Sequence, residues 1–194
     1  KVGPGTLVLT AANIYSGNTI VSNGTLQING TLASPYVDIL TNAVLSGSGT
    51  VSGVVTDRNG GAIAPGDNGI GTLNIGTLTL ASGARLNFEG FNYLSNDIIQ
   101  VTSSNGLTLN GGTFYFYQPN TLTTFDTSGK YRLIGYSNTF AGSIANLSVG
   151  NANPTKDYVF GTNNYYVTLT VKTTIGWDGR SEEHTSELQS PYVI

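Results

Sequence analysis

The chain has 194 residues, long enough to bury one substantial core, with 39% hydrophobic and 10% charged residues, 26 Gly and a formal net charge of -3. That balance excludes intrinsic disorder, which needs high net charge and few β-branched or aromatic residues, and it excludes nucleic acid as a partner, since no cluster of Lys and Arg is present to meet phosphates. Zero Cys removes disulfides and thiolate metal sites, and no apolar run approaches the ~18 residues of a membrane helix.

The first element sets a theme. Gly5-Thr6-Leu7 is followed by Gly24-Thr25-Leu26, Gly30-Thr31-Leu32, Gly49-Thr50-Val51, Gly71-Thr72-Leu73, Gly76-Thr77-Leu78 and Gly112-Thr113-Phe114. The steps from Gly5 to Gly24 and from Gly30 to Gly49 are equal, and the step from Gly49 to Gly71 is slightly longer. All three are roughly 20 residues, the period range of stacked repeats.

Apolar residues at every second position predict short half-buried strands at 6–9, 19–21, 25–28, 72–75, 77–80, 85–88, 107–109 and 166–171. Asn23-Gly24, Asn29-Gly30, Asn59-Gly60-Gly61 and Asn110-Gly111-Gly112 read as the corners between strands, because Gly and Asn tolerate positive φ. No stretch carries a 3.6-residue period long enough for a helix of ordinary length. Composition alone allows a sandwich or a meander barrel, but a meander brings its turns back sooner than this motif recurs. One motif reappearing after roughly 20 residues predicts the coils of a parallel β-solenoid instead.

At residues 5 to 30 the pattern resembles the autotransporter-associated β-strand repeat, also called the passenger-associated transport repeat. Gly5, Thr6, Leu7, Leu9, Tyr15, Gly17, Thr19, Gly24, Thr25, Leu26 and Ile28 stand where that repeat expects them. Leu45 to Val51, Ala64-Pro65-Gly66-Asp67-Asn68 and Leu80 to Leu86 are similar to the stretches that commonly continue such repeats, so the resemblance covers roughly residues 5 to 117. It implies an all-β, right-handed parallel β-helix of the pectin-lyase-like kind. It also implies a structural role in a bacterial autotransporter passenger, exported through the outer membrane to the cell surface or beyond by a β-barrel translocator of the same parent chain.

Residues 118 to 175 lose the Gly-Thr rhythm and gain Tyr and Phe, with a strand at Tyr131-Arg132-Leu133-Ile134 and a strand-turn-strand at Tyr158 to Phe160, Gly161 to Asn164 and Tyr165 to Val171. The expected organisation is therefore 1–117 as repeats, 118–175 as an irregular β segment closing the same unit, and 176–179, with Trp177-Asp178-Gly179, as the start of a following unit. Residues 180–194 resemble the in-frame translation of a sequencing-library adapter and are expected to be a disordered artefact. Without them the balance is seven bases to eight acids and His184, the single histidine, is gone, so no His-based triad or imidazole metal site is expected. The absence of Met and the opening at Lys1-Val2 suggest a piece of a longer reading frame.

Parallel β-helices also carry pectate lyases and polygalacturonases, which need paired carboxylates or acids around Ca²⁺ with a nearby base. The acids Asp38, Asp57, Asp67, Glu89, Asp97, Asp126, Asp157 and Asp178 are scattered singly. Asp67 reads as a turn residue, Asp97 as the end of a loop ahead of a strand, and Asp57-Arg58 and Lys156-Asp157 as solvated corners. Asn23-Gly24-Thr25, Asn29-Gly30-Thr31 and Asn146-Leu147-Ser148 match the glycosylation tripeptide but read as corners. Phe114-Tyr115-Phe116-Tyr117 reads as a core face with Tyr outside, the alternative being an aromatic platform for sugar. No enzyme activity, catalytic residue, cofactor or metal is expected, and the partners considered are an extracellular glycan or a surface protein.

Overall fold

A computed structural model describes residues 1–66, 69–92 and 95–174. Asp67, the segment 176–179 with Asp178, and the adapter-like tail with His184 lie outside the described residues. Among the described residues the secondary structure is strand, apart from one 3-10 turn at Ile144–Asn146.

The chain winds as a three-sided coil. The first side is a parallel sheet stacking Thr6–Leu9, Gly24–Ile28, Ala43–Gly47, Ala62–Pro65, Arg85–Asn92, Gly112–Tyr117 and Leu147–Val149 in that order. The second side stacks Ala12–Asn13, Thr31–Leu32, the first half of Thr50–Asp57, the first half of Thr72–Leu80, Ile98–Ser104 and Gly129–Ser137. The third stacks Thr19–Val21, Tyr36–Ile39, the second halves of the same two long strands, Leu107–Leu109 and Phe140–Gly142. Parallel strands need a crossover, and here the other two sides of the coil supply it.

The two long strands turn a corner in their middle, and glycine permits it. A Cβ at Gly53 would collide with the Ser34 carbonyl of the coil before, and one at Gly76 with the Ser52 carbonyl. Backbones at this corner therefore stack directly on one another, which a side chain would prevent.

Alternation does the rest. On the first side Leu26, Leu45, Ile63, Leu86 and Phe114 succeed each other in register and are fully buried. The third side contributes Val37, Val55, Leu78 and Leu107 to the same interior. Each fully buried aliphatic contributes roughly 1.5–3 kcal/mol, and each ladder makes one coil's burial depend on the next.

The coil widens along the stack. Thr6 pairs with Thr25, Thr25 with Val44 and Val44 with Ala62, so each early coil takes up roughly 20 residues. Ala62 then pairs with Arg85, Arg85 with Thr113 and Thr113 with Ser148, each step longer than the one before. The wider coils need larger fillings. Phe88 and Phe114 lie with centroids 5.3 Å apart, and Phe125 meets Tyr131 edge-on at 5.0 Å.

Parallel stacking runs past residue 117 and then stops. Gly129–Ser137 is parallel to Ile98–Ser104 on one edge and antiparallel to Tyr166–Thr173 on the other, and Lys156–Asn163 pairs antiparallel outside that. Phe160 of this hairpin reaches the Phe114 ring at 5.3 Å, and Val167, Leu169 and Val171 are buried. The hairpin turn is Asn164-Tyr165, not Gly161 to Asn164, because the first strand continues to Asn163; both turn residues have positive φ, 47° and 61°, as the right-handed twist of a two-residue hairpin loop requires.

Candidate functional site

The residues singled out by the repeat pattern come together as a splice between the first two coils. Thr6 lies against Thr25, Leu7 against Leu26 and Leu9 against Ile28. Gly5 precedes the first strand, and its carbonyl accepts from the Thr25 amide at 3.2 Å. Gly24 has φ 68°, and the space of its missing side chain is filled by the backbone of Gly3, Pro4 and Gly5. Any other residue there would need both a left-handed conformation and room that the neighbouring coil occupies.

The middle of the motif builds the remaining sides. Tyr15 and Thr19 hydroxyls are 2.7 Å apart. Ser34, fully buried on the next coil, places its hydroxyl 2.9 Å from the Gly17 carbonyl, which fixes that corner on its successor. Apart from the Tyr15–Thr19 hydroxyl pair within the first coil, the contacts of these motif residues are strand pairing, backbone approach and apolar packing between coils. What the arrangement does chemically is hold one rung on another.

Corners are stapled by Asn in the same sense. Asn59 Oδ1 accepts from the Gly83 amide at 2.9 Å, one coil on, and Asn105 Oδ1 accepts from the Thr139 amide and hydroxyl at 3.2 and 2.8 Å. Asn105 itself sits at φ 56°, a conformation Asn tolerates better than most side chains.

The acids fall into distinct environments. Asp97 does precede a strand, and it is fully buried: Oδ1 accepts from the Gly71 amide at 2.8 Å and Oδ2 from the Glu89 amide at 2.7 Å. Burial pushes its carboxyl up to about 7, the two amides pull the other way, and the Glu89 charge adds to the rise. Its role is to pin the loop at Gly71 to the strand at Glu89. Glu89 in turn accepts from the Asn120 amide at 3.1 Å, beside an open groove of about 400 Å³ floored by Ser46 and Ala64. Asp126 accepts from the Asn153 side chain.

Asp57 departs from expectation. Instead of a solvated corner beside Arg58 it occupies an inward position of the third side, between Ile39 of the coil before and Leu80 of the coil after, and is 0% exposed. Neither carboxylate oxygen has a hydrogen-bond partner among the described residues. Burial drives its carboxyl up to about 8, and the Arg85 amide, whose hydrogen bond goes to the Gly61 carbonyl, offsets little of that. Arg58 turns outward and pairs with Asp38 at 2.9 Å. A signal for this exists in the sequence: Asp57 stands one repeat step after Ile39 and two positions after Val55, an inward slot by the spacing of the coils.

Among the described residues no group of three or more His, Cys, Asp or Glu is placed to hold a metal ion. Phe114 and Phe116 face the core while Tyr115 faces out, with the Arg85 guanidinium 4.6 Å from its ring centroid. Lys156 and Asp157 lie on the outer strand of the closing hairpin, where Lys156 reaches Ser128 and Thr173.

Residues 1–28 match the family described as the Passenger-associated-transport-repeat. An extracellular serine protease of Serratia marcescens is 48% identical over 75 residues, covering 39% of this chain and 7% of the relative. The adhesin BmaC autotransporter of Brucella suis biovar 1 (strain 1330) is 40% identical over 120 residues, 60% of this chain and 3% of the relative. The chain therefore spans a small fraction of the length of these curated relatives.

Proposed function

We propose that the chain is a repeat segment of an autotransporter passenger, carried through the outer membrane to the cell surface or the extracellular space, and that its work is mechanical: it stacks. In this reading the coils begin with residues 1–117 and continue past them through Gly129–Ser137, Phe140–Gly142 and Leu147–Val149, the antiparallel hairpin closes the same unit, and the eleven motif residues from Gly5 to Ile28 splice one coil to the next. The observation that carries it is the register of Thr6–Leu9 on Gly24–Ile28, with Leu7 and Leu9 continuing the buried ladders of Leu26 and Ile28.

A coil so built is stable only against a neighbour. As the parent chain emerges, each new coil that stacks makes backward movement less favourable, so stacking favours outward transport through the β-barrel translocator expected in the same parent chain. The segment needs no catalytic group for this. Deleting residues 5–30 from the full-length parent should lower surface display measured by antibody on intact cells; undiminished display would sink the proposal.

A second reading is favoured by the adhesin relative, which matches 60% of the chain. Here the outward face of the first side, with Tyr115 and Arg85, contacts an extracellular glycan or surface protein. Saturable glycan binding that Tyr115→Ala abolishes, with the fold intact by circular dichroism, would establish it.

A further inference from the structure

Asn-Gly recurs at the corners of the coil, and the described residues include Asn23-Gly24, Asn29-Gly30, Asn59-Gly60, Asn105-Gly106 and Asn110-Gly111. Three of these pairs are held twice. The amides of Gly30, Gly60 and Gly106 donate to the carbonyls of Leu9, Gly83 and Ser103 at 3.0, 2.8 and 3.1 Å. The Asn side chains ahead of them reach one coil on, where Oδ1 of Asn29, Asn59 and Asn105 accepts from the amides of Ser48, Gly83 and Thr139. In Asn110-Gly111 the glycine is buried and packed on the Ser82 backbone.

Asn23-Gly24 is bonded otherwise. Asn23 is exposed, and its Oδ1 accepts from the amide of its own successor, Gly24, at 2.8 Å. The side chain is folded back on the nitrogen that follows it, whichever way its terminal amide is turned. Both neighbouring coils are in place at this corner: the Gly3 to Gly5 backbone lies against Gly24 from one, and Ala43 pairs with it from the other. The contrast with the other corners therefore lies in the local hydrogen bonding, not in the end of the stack.

We propose that Asn23 is a site of spontaneous covalent modification, converting to an aspartyl or isoaspartyl residue through a cyclic imide with Gly24. Gly24 brings no Cβ to obstruct the approach, and a turn about the soft χ2 torsion of Asn23 faces Cγ towards the Gly24 nitrogen. That nitrogen gives its proton to hydroxide and attacks. An N–Cγ bond forms, the Cγ–Nδ2 bond breaks, and Nδ2 leaves as ammonia with a proton taken from water. Water then opens the ring at either carbonyl, so the net change is one water consumed and one ammonia released. At Asn29, Asn59 and Asn105 the same attack must first break the amide's bond to a carbonyl and pull the side chain off the next coil. Opening at the main-chain carbonyl routes the backbone through the former side chain. It adds one carbon to the corner where Gly24 meets the Gly3 to Gly5 backbone, inside the repeat motif.

The test incubates the folded full chain in mildly alkaline buffer and follows each Asn-Gly pair by peptide mass spectrometry, with isoaspartyl counted by enzymatic methylation. Position 23 should convert roughly tenfold faster, or more, than positions 29, 59 and 105. In concentrated urea the four rates should converge, since Gly follows Asn in each. Equal or slower conversion at position 23 in the folded chain overturns the proposal. So does the same ranking in urea, which would assign the difference to local sequence instead of the fold.

Discussion

Replacing Asp57 by Leu should stabilise the solenoid, and by an amount that grows with pH. The carboxyl ordinarily titrates at 3.8 and is pushed up to about 8 by burial between Ile39 and Leu80, with no partner on either oxygen among the described residues. Between those values the unfolded chain is ionised while the folded chain keeps its proton, so the folded state binds more protons and stability falls as pH rises, by ~1.4 kcal/mol per pH step. Stability from this site is fully present below about pH 4, declines to about pH 8 and is flat above. Across the whole window the loss is roughly 6 kcal/mol, comparable with the net stability of a domain. Asp97, raised to about 7, contributes in the same direction, so the wild type should lose stability with pH through two groups and the Asp57 variants through one. Urea unfolding followed by circular dichroism from pH 4 to pH 9 measures this. Asp57→Asn, nearly isosteric, separates charge from packing: it should flatten the pH dependence even if its buried amide brings no net gain. Variants whose stability falls with pH as steeply as that of the wild type would refute the reasoning, because the carboxyl would then be ionised and satisfied in the fold.

Two further perturbations test the corners. Gly47→Ala should cost about 2 kcal/mol or more in unfolding free energy measured with urea, since Gly47 has φ 110° and a Cβ would strike the Ile28 carbonyl. Asn105→Ala should cost ~1–2 kcal/mol by the same assay, losing both the acceptor for Thr139 and a residue that tolerates φ 56°, whereas Asn105→Gly should recover part of that by relieving the backbone alone.

The early coils are legible because one residue pattern serves two purposes at once. Gly-Thr-Leu at a fixed step marks both the corner and the strand that stacks, so spacing locates Thr6–Leu9 over Gly24–Ile28 without any long-range reasoning. The later coils hide because insertions at their corners carry no such pattern: the longer turns break the period while Leu86, Phe114 and Val149 still pair in register. Asp57 misleads for a related reason. Adjacent opposite charges suggest a surface corner, but a strand's alternation sends neighbours to opposite sides, so Arg58 finds Asp38 outside while Asp57 is carried in. Asp97 does lie ahead of its strand, yet its amide partners come from Glu89, across a local antiparallel pairing, and from Gly71, a contact that only the coil closure creates.

The hydrogen bonds between coils run along the stack, and that orientation decides how the molecule answers a pull on its ends. Tension along the axis loads one rung's bonds at a time instead of shearing many together. The segment should therefore behave as a reel, not a rod that snaps. Each early coil occupies about 4.8 Å of axis but stores roughly 20 residues, ~65 Å of chain when drawn straight. The length released per rung grows towards the hairpin, up to ~120 Å for the widest turn, from Thr113 to Ser148.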